Sequence, residues 1–227
     1  MSVVIVEYPI ILLNLKTYEE SMGQKAIDFA RIAERVNEKT GISIAVAPQI
    51  IDIAAVAVSS ETPVFAQHID PVGYGSNTGH VLAEAVKEAG AVGTVINHAE
   101  NKKDNEFVEK AIARAKEAGL IVMVCAEDVK RAEELAKFNP DLIAVEPPEL
   151  IGGNISVSTA QPEIITESVK SIKAVNESID VITGAGIKNR EDVAKAIELG
   201  TVGVFVASGI VKAEDKKKAV EDMVNGF

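Results

Sequence analysis

The stretch KAIDFARIAERVNEKTGISIAVA, Lys25–Ala47, contains one full structural period of the chain. Ile27, Ala30, Ile32, Ala33 and Val36 recur at the spacing that gathers apolar side chains on one side of an α-helix, with Lys, Arg and Glu on the other. Gly41 follows, at the position where a helix ends in a left-handed residue that glycine adopts without steric cost. SIAVA, Ser43–Ala47, is then short, apolar and partly β-branched, the pattern of a strand covered on both faces. Helix, glycine, buried strand is the repeating unit of a parallel sheet, whose neighbouring strands need a long crossover between them.

The same unit recurs on both sides of this stretch. Strands are expected at IILLNL, SIAVA, PVFAQ, GTVIN, IVMVC, LIAV, VIT and GVFV, and Gly90, Gly119 and Gly200 repeat the punctuation of Gly41. Eight strand-helix units with right-handed crossovers favour a closed (β/α)8 TIM barrel over an open doubly wound sheet, which more often has about five or six strands. No polar linker, low-complexity tract or change of composition divides the chain, so residues 1–227 are expected to form a single barrel domain.

Composition narrows the function. Hydrophobic residues make up 47% and charged residues 25% of the 227, which suits a globular chain with a sizeable core. No apolar run approaches the roughly 20 residues of a membrane helix, and the N-terminal MSVVIVEYPIILLNLK, interrupted by Glu7 and Pro9, reads as a first strand rather than a signal. A cytoplasmic protein is expected. A formal charge of −11 argues against nucleic acid or an anionic membrane as partner. The one cysteine, Cys125, excludes an internal disulfide or a CxxC motif. With no activating neighbour in sequence, it is expected to be a packed thiol.

In a barrel of this kind the C-terminal strand ends open onto one face. Asn14 and Lys16 follow the first strand, Asn97, His98 and Glu100 the fourth, and Glu146 the sixth. Gly184 and Gly186 follow the seventh, and Ala207, Ser208 and Gly209 the eighth. Asn14, Lys16 or His98 alone could be an ordinary rim residue. Glu146 is harder to dismiss, because it follows LIAV directly and precedes Pro147 and Pro148, which leave no room for a helix to carry it away. Burial there would raise its pKa toward the range of a base that takes a carbon-bound proton. The small residues of TGAGI and VASGI, at the seventh and eighth strands, match the place where barrels commonly bind phosphate. His68 and Asp70 offer donors, but the three histidines are far apart and lack HExxH spacing, so no metal is expected.

Taken in order, NLK, APQ, FAQHIDP, TGHVL, INHAE, AVEPPELIG, GAGI and GVFVASG resemble the triosephosphate isomerases, more closely their shorter archaeal form, over essentially the whole chain. The resemblance implies interconversion of dihydroxyacetone phosphate and D-glyceraldehyde 3-phosphate, a step of glycolysis and gluconeogenesis, without a cofactor. It implies Glu146 as base, His98 as the group that polarises the carbonyl, and Lys16 as the positive charge beside the developing enediolate. Asn14 would orient the substrate and Glu100 would hold Lys16. Ile151, Gly186, Ala207 and Ser208 would offer backbone groups to the phosphate. The stretch after Glu146 would be a lid, hinged at Pro147–Pro148 and at Gly152–Gly153. PVGYGSNTGH would be an interface loop that brings Thr78 near the site of a second subunit, in a homodimer or homotetramer. Two residues depart from the family pattern. Ala99 stands where a serine usually contacts the resting glutamate, and Gly153–Asn154 replaces Thr-Gly at the far hinge.

Two other functions fit a barrel of this kind. A Schiff-base aldolase would need a lysine inside the barrel, commonly at the end of the sixth strand, where this chain has Glu146. A catalytically silent barrel that binds sugar phosphates or a protein partner is the other.

Overall fold

A computed structural model describes residues 6–152 and 156–227. Eight parallel strands form one sheet: β1 (Ile10–Asn14), β2 (Ser43–Ala47), β3 (Phe65–Ala66), β4 (Gly93–Ile96), β5 (Ile121–Ala126), β6 (Leu142–Val145), β7 (Asp180–Thr183) and β8 (Gly203–Val206). Their order in space is β2-β1-β8-β7-β6-β5-β4-β3. A single bridge, Val46 to Val64, joins the two ends of that series into a nearly closed barrel. The strand-helix alternation read from Lys25–Ala47 is therefore that of a (β/α)8 barrel.

Strand β3 is shorter than PVFAQ suggests. Pro63 has no N–H to give to a ladder, so at this position it only accepts, its carbonyl taking a bond from Val46 N at 2.9 Å. The barrel is thus most thinly sewn between β2 and β3.

Successive residues of each strand serve opposite cores. Ile10, Leu12, Ala45, Phe65, Met123, Ala144, Ile182 and Phe205 fill the barrel. Their neighbours Ile11, Leu13, Ile44, Val46, Val122, Val124, Val181 and Val204 pack outward against the helices. In the helix Gln24–Thr40 the fully buried face is Ala26, Phe29, Ala30, Ala33 and Val36, with Ile27 and Ile32 at its half-buried flanks. The buried stripe is thus rotated slightly from the one read off the sequence, because the large Phe29 ring takes the centre of the contact. Gly41 ends this helix in the left-handed region at φ 73°.

Candidate active site

The C-terminal ends of the strands surround a pocket. Asn14 and Lys16 reach it from β1, His98 from β4, and Glu146 from β6. Ile151 and Gly152 enter from the segment after Glu146, Gly186 from the loop after β7, and Ala207 and Ser208 from the end of β8. Asn14, Lys16, His98, Glu146, Ile151, Gly186, Ala207 and Ser208 thus line one pocket, whereas Gly184 and Gly209 do not. Tyr18, Ala185, Ile187, Phe205 and Val206 complete the wall. The sequence reading had not picked out these five, since apolar residues at strand ends look like any other core positions.

Glu146 is 5% exposed. Its backbone N–H continues the β5–β6 ladder by donating to Ala126 O at 2.8 Å, so the residue is held at the rim as an extension of the strand. The segment beyond it does turn, into one 3₁₀ turn at Pro148–Leu150 with Pro148 in its first position. The turn is too short to carry Glu146 out of the barrel mouth. The carboxylate lies with Oε2 3.8 Å from His98 Nε2, and Oε2 has no hydrogen-bond partner among the described residues. Desolvation pushes the pKa of Glu146 up from 4.5 to about 7, opposed by a hydrogen bond from the Cys125 thiol and by the charge of Lys16. A desolvated carboxylate whose Oε2 is unpartnered and which lines a pocket is poised to accept a proton.

The resting place of Glu146 is set without a serine. Ala99, the first residue of the 3₁₀ turn Ala99–Asn101, has no hydroxyl to offer. Burial, helped by the charge of Glu146, holds the Cys125 thiol in its protonated form, well above its usual pKa. Gly184, expected from its sequence position to approach a phosphate, has a different neighbour: a methyl group on it would stand 2.4 Å from Glu146 Oε1. The three atoms nearest to that methyl group all belong to the Glu146 side chain, so Gly184→Ala is expected to displace the carboxylate and spare the fold. The expected result is a fall in kcat/KM of about tenfold to a hundredfold with a melting temperature within a few degrees of the parent. Circular dichroism and steady-state kinetics on the same preparation measure both.

His98 caps the turn that begins at Ala99. Its Nδ1 accepts from Glu100 N at 3.1 Å, which leaves the ring proton of the neutral tautomer on Nε2, toward Glu146 and the pocket. Desolvation, helped by the charge of Lys16, lowers the His98 pKa from 6.5 to about 4, so the ring is neutral at physiological pH. The edge-on Phe205 ring, 5.9 Å away, fixes its plane from below. Asn97, at φ 62° in the left-handed region that asparagine tolerates, anchors the turn on both sides. It donates to Cys125 O at 2.9 Å and accepts from Lys103 N at 2.8 Å.

Lys16 has φ 47°, a conformation that costs a side-chain-bearing residue about 1–2 kcal/mol. Its Nζ is 2.7 Å from Glu100 Oε1, the ion pair that the resemblance implied. Asn14 Oδ1 accepts from Lys16 N at 2.9 Å. Across the pocket, Ala207 and Ser208 stand at the head of the short helix Ser208–Val211, where the first N–H groups of any helix lack partners within it. Gly152 is left-handed at φ 71°. Gly153 and Asn154, the departures at the far hinge, lie outside the described residues.

No group of His, Cys, Asp or Glu among the described residues is arranged to hold a metal ion. His68 and Asp70, considered as ligands, bond to each other at 3.2 Å, and the His68 ring stacks on Phe107. No helix among the described residues is long and apolar enough to cross a membrane.

A sequence profile described as triosephosphate isomerase matches residues 9–226. The triosephosphate isomerase of Methanosarcina acetivorans is 49% identical over 95% of this chain and 97% of its own length. That of Methanothermus fervidus is 46% identical over 95% and 97%, and that of Methanocaldococcus jannaschii 44% over 95% and 98%. With matches that run the length of both chains, this protein belongs to the triosephosphate isomerase family.

Proposed function

We propose that the chain interconverts dihydroxyacetone phosphate and D-glyceraldehyde 3-phosphate, with Glu146 as the base that carries a proton between adjacent carbons. The observation that supports this most directly is the pairing of Glu146 and His98. One carboxylate raised to about 7 and one imidazole lowered to about 4 face the same pocket 3.8 Å apart. This enzyme family is a worked case in general accounts of how environment sets acid and base roles, so the assignment here follows a known pattern.

In the forward step a carbon–hydrogen bond of the substrate breaks, its proton passes to Glu146, and its electron pair forms the enediolate. The negative charge grows on the former carbonyl oxygen, where the Nε2–H of neutral His98 donates and the Lys16 ammonium attracts. Asn14 orients the substrate. The hydroxyl on the neighbouring carbon gives up its proton as it becomes the new carbonyl, and the former carbonyl oxygen takes up a proton in exchange. The same carboxylic acid returns the carbon-bound proton to the other carbon, so nothing is oxidised or reduced overall and no cofactor is needed. Backbone groups of Ile151, Gly186, Ala207 and Ser208 receive the phosphate. Lys16 supplies positive charge inside the pocket, which offsets the field of a chain whose net charge is −11. The segment from Pro147 acts as a lid that excludes water and protects the enediolate.

The protein acts in the cytoplasm as a homodimer or homotetramer, with the loop PVGYGSNTGH bringing Thr78 to the mouth of a neighbouring subunit. Tyr74, 80% exposed on that loop, and Ile51, 84% exposed after β2, are open to such a contact.

The test is turnover of D-glyceraldehyde 3-phosphate by purified protein, coupled to reduction of the dihydroxyacetone phosphate formed, with phosphoglycolate as inhibitor. Turnover that phosphoglycolate blocks is expected. Tight binding of phosphoglycolate with no turnover would make the chain a silent sugar-phosphate binder.

A further inference from the structure

We propose that Gln67 is a positioning residue that holds Lys16 in its productive conformation by clamping the Lys16 carbonyl to the end of β2. The proposal rests on the reading of Lys16 as the cation beside the substrate.

Gln67 follows β3 directly and is half-buried. Its side-chain Nε2 donates to Lys16 O at 3.0 Å and to Ala47 O at 2.9 Å. An amide NH2 has two protons, so both are committed to main-chain carbonyls, one at the end of β2 and one just beyond β1. Lys16 needs such a hold. At φ 47° it sits in a region that a lysine leaves when nothing restrains it. Asn14 Oδ1 fixes the peptide plane before Lys16 through Lys16 N, and Gln67 fixes the plane after it through Lys16 O. With both planes held, φ and ψ of Lys16 are set, and with them the direction of its Cβ. The ammonium is then delivered to the pocket and to Glu100. Loss of the second hold lets the backbone relax toward negative φ, which swings the side chain out of line.

The clamp also lies at the weakest seam of the barrel. Among the described residues, β2 and β3 are joined by the isolated Val46–Val64 bridge, and the Gln67 bond to Ala47 O crosses that seam next to it. A purely structural role is therefore the alternative to be separated. A structural role would reduce activity by the same factor whether or not Lys16 is present, because it acts through the barrel as a whole. A positioning role is silent once Lys16 has lost its charge.

The experiment is a double-mutant cycle of Gln67→Met and Lys16→Met in the full chain, read by kcat/KM and by the dissociation constant of phosphoglycolate from calorimetry. Gln67→Met keeps the volume and removes both donors. Alone, it is expected to lower kcat/KM about 10- to 100-fold, the range for a reacting group misplaced by about an ångström, and to weaken phosphoglycolate about tenfold. Added to Lys16→Met it is expected to change either quantity by less than about threefold. Equal losses in the two backgrounds, or no loss in the parent, would overturn the proposal. Should Gln67→Met melt below the assay temperature, Gln67→Asn takes its place. It keeps the donors but shortens their reach by one methylene, and the same two patterns decide. If Lys16→Met alone leaves kcat/KM unchanged, it is the role of Lys16 that fails, a result distinct from any failure of Gln67.

Discussion

Glu146→Gln is expected to lower kcat by about a thousandfold or more while KM stays within a few fold, because the amide keeps the shape of the carboxylate and cannot accept a proton. The same variant carries a stability signature. Glu146 has its pKa raised from 4.5 to about 7 by burial. Below pH 4.5 the carboxyl is protonated in both the folded and the unfolded chain, so burial costs nothing extra. Above pH 7 the folded chain holds a desolvated carboxylate that the unfolded chain would hydrate, a cost on the order of 3 kcal/mol. Stability is therefore lost as pH rises from about 4.5 through about 7. Glu146→Gln removes this dependence, and its advantage over the parent in urea unfolding should be larger at pH 8 than at pH 4.5. An equal advantage at both values would mean that the folded carboxyl titrates like one in water.

Lys16→Met is expected to lower kcat/KM by about 10²–10³-fold, the usual cost of removing one preorganised group that faces developing charge in a water-excluded site. The effect should be shared between kcat and KM, since the ammonium attracts the dianionic substrate before reaction and the enediolate during it. Stability should change little. Glu100, its partner, is 57% exposed, and an ion pair open to solvent on one side contributes modestly to folding. Kinetics and phosphoglycolate affinity of the purified variant measure the effect. Parental values in both would remove Lys16 from the site's chemistry.

Much of this architecture is legible in the sequence because it depends on period and order. Apolar runs such as LIAV and GVFV, each bounded by glycine or a polar residue, mark strands covered on both faces. Their number then indicates the barrel, and with it the face on which Asn14, Lys16, His98 and Glu146 converge. The supporting groups are not legible in the same way, because each acts on a residue distant in sequence. Gln67 donates to a carbonyl 51 residues earlier, and Gly184 makes room for Glu146 across the β6–β7 pair. Cys125, read as a packed thiol, is buried in the barrel core. No local pattern announces such roles, since a glutamine after a short strand or a glycine in a turn has many ordinary uses. The truncation of β3 could be read in principle from Pro63, whose missing N–H limits pairing.

Ala99 shows how a departure from the family can be absorbed. Without a hydroxyl at this position, the carboxylate of Glu146 rests against the bare Gly184 backbone and 3.8 Å from His98, lining the pocket. The site thereby keeps the base desolvated, which is the physical cause of its raised pKa.

The central claim is that burial converts Glu146 into a base matched to neutral pH. Its most direct test is a ¹³C NMR titration of protein labelled at the glutamate carboxyl carbons, with Glu146→Gln identifying the resonance by its loss. A midpoint near 7 in the free protein is predicted. A midpoint near 4.5, the value of a hydrated glutamate, would contradict the account.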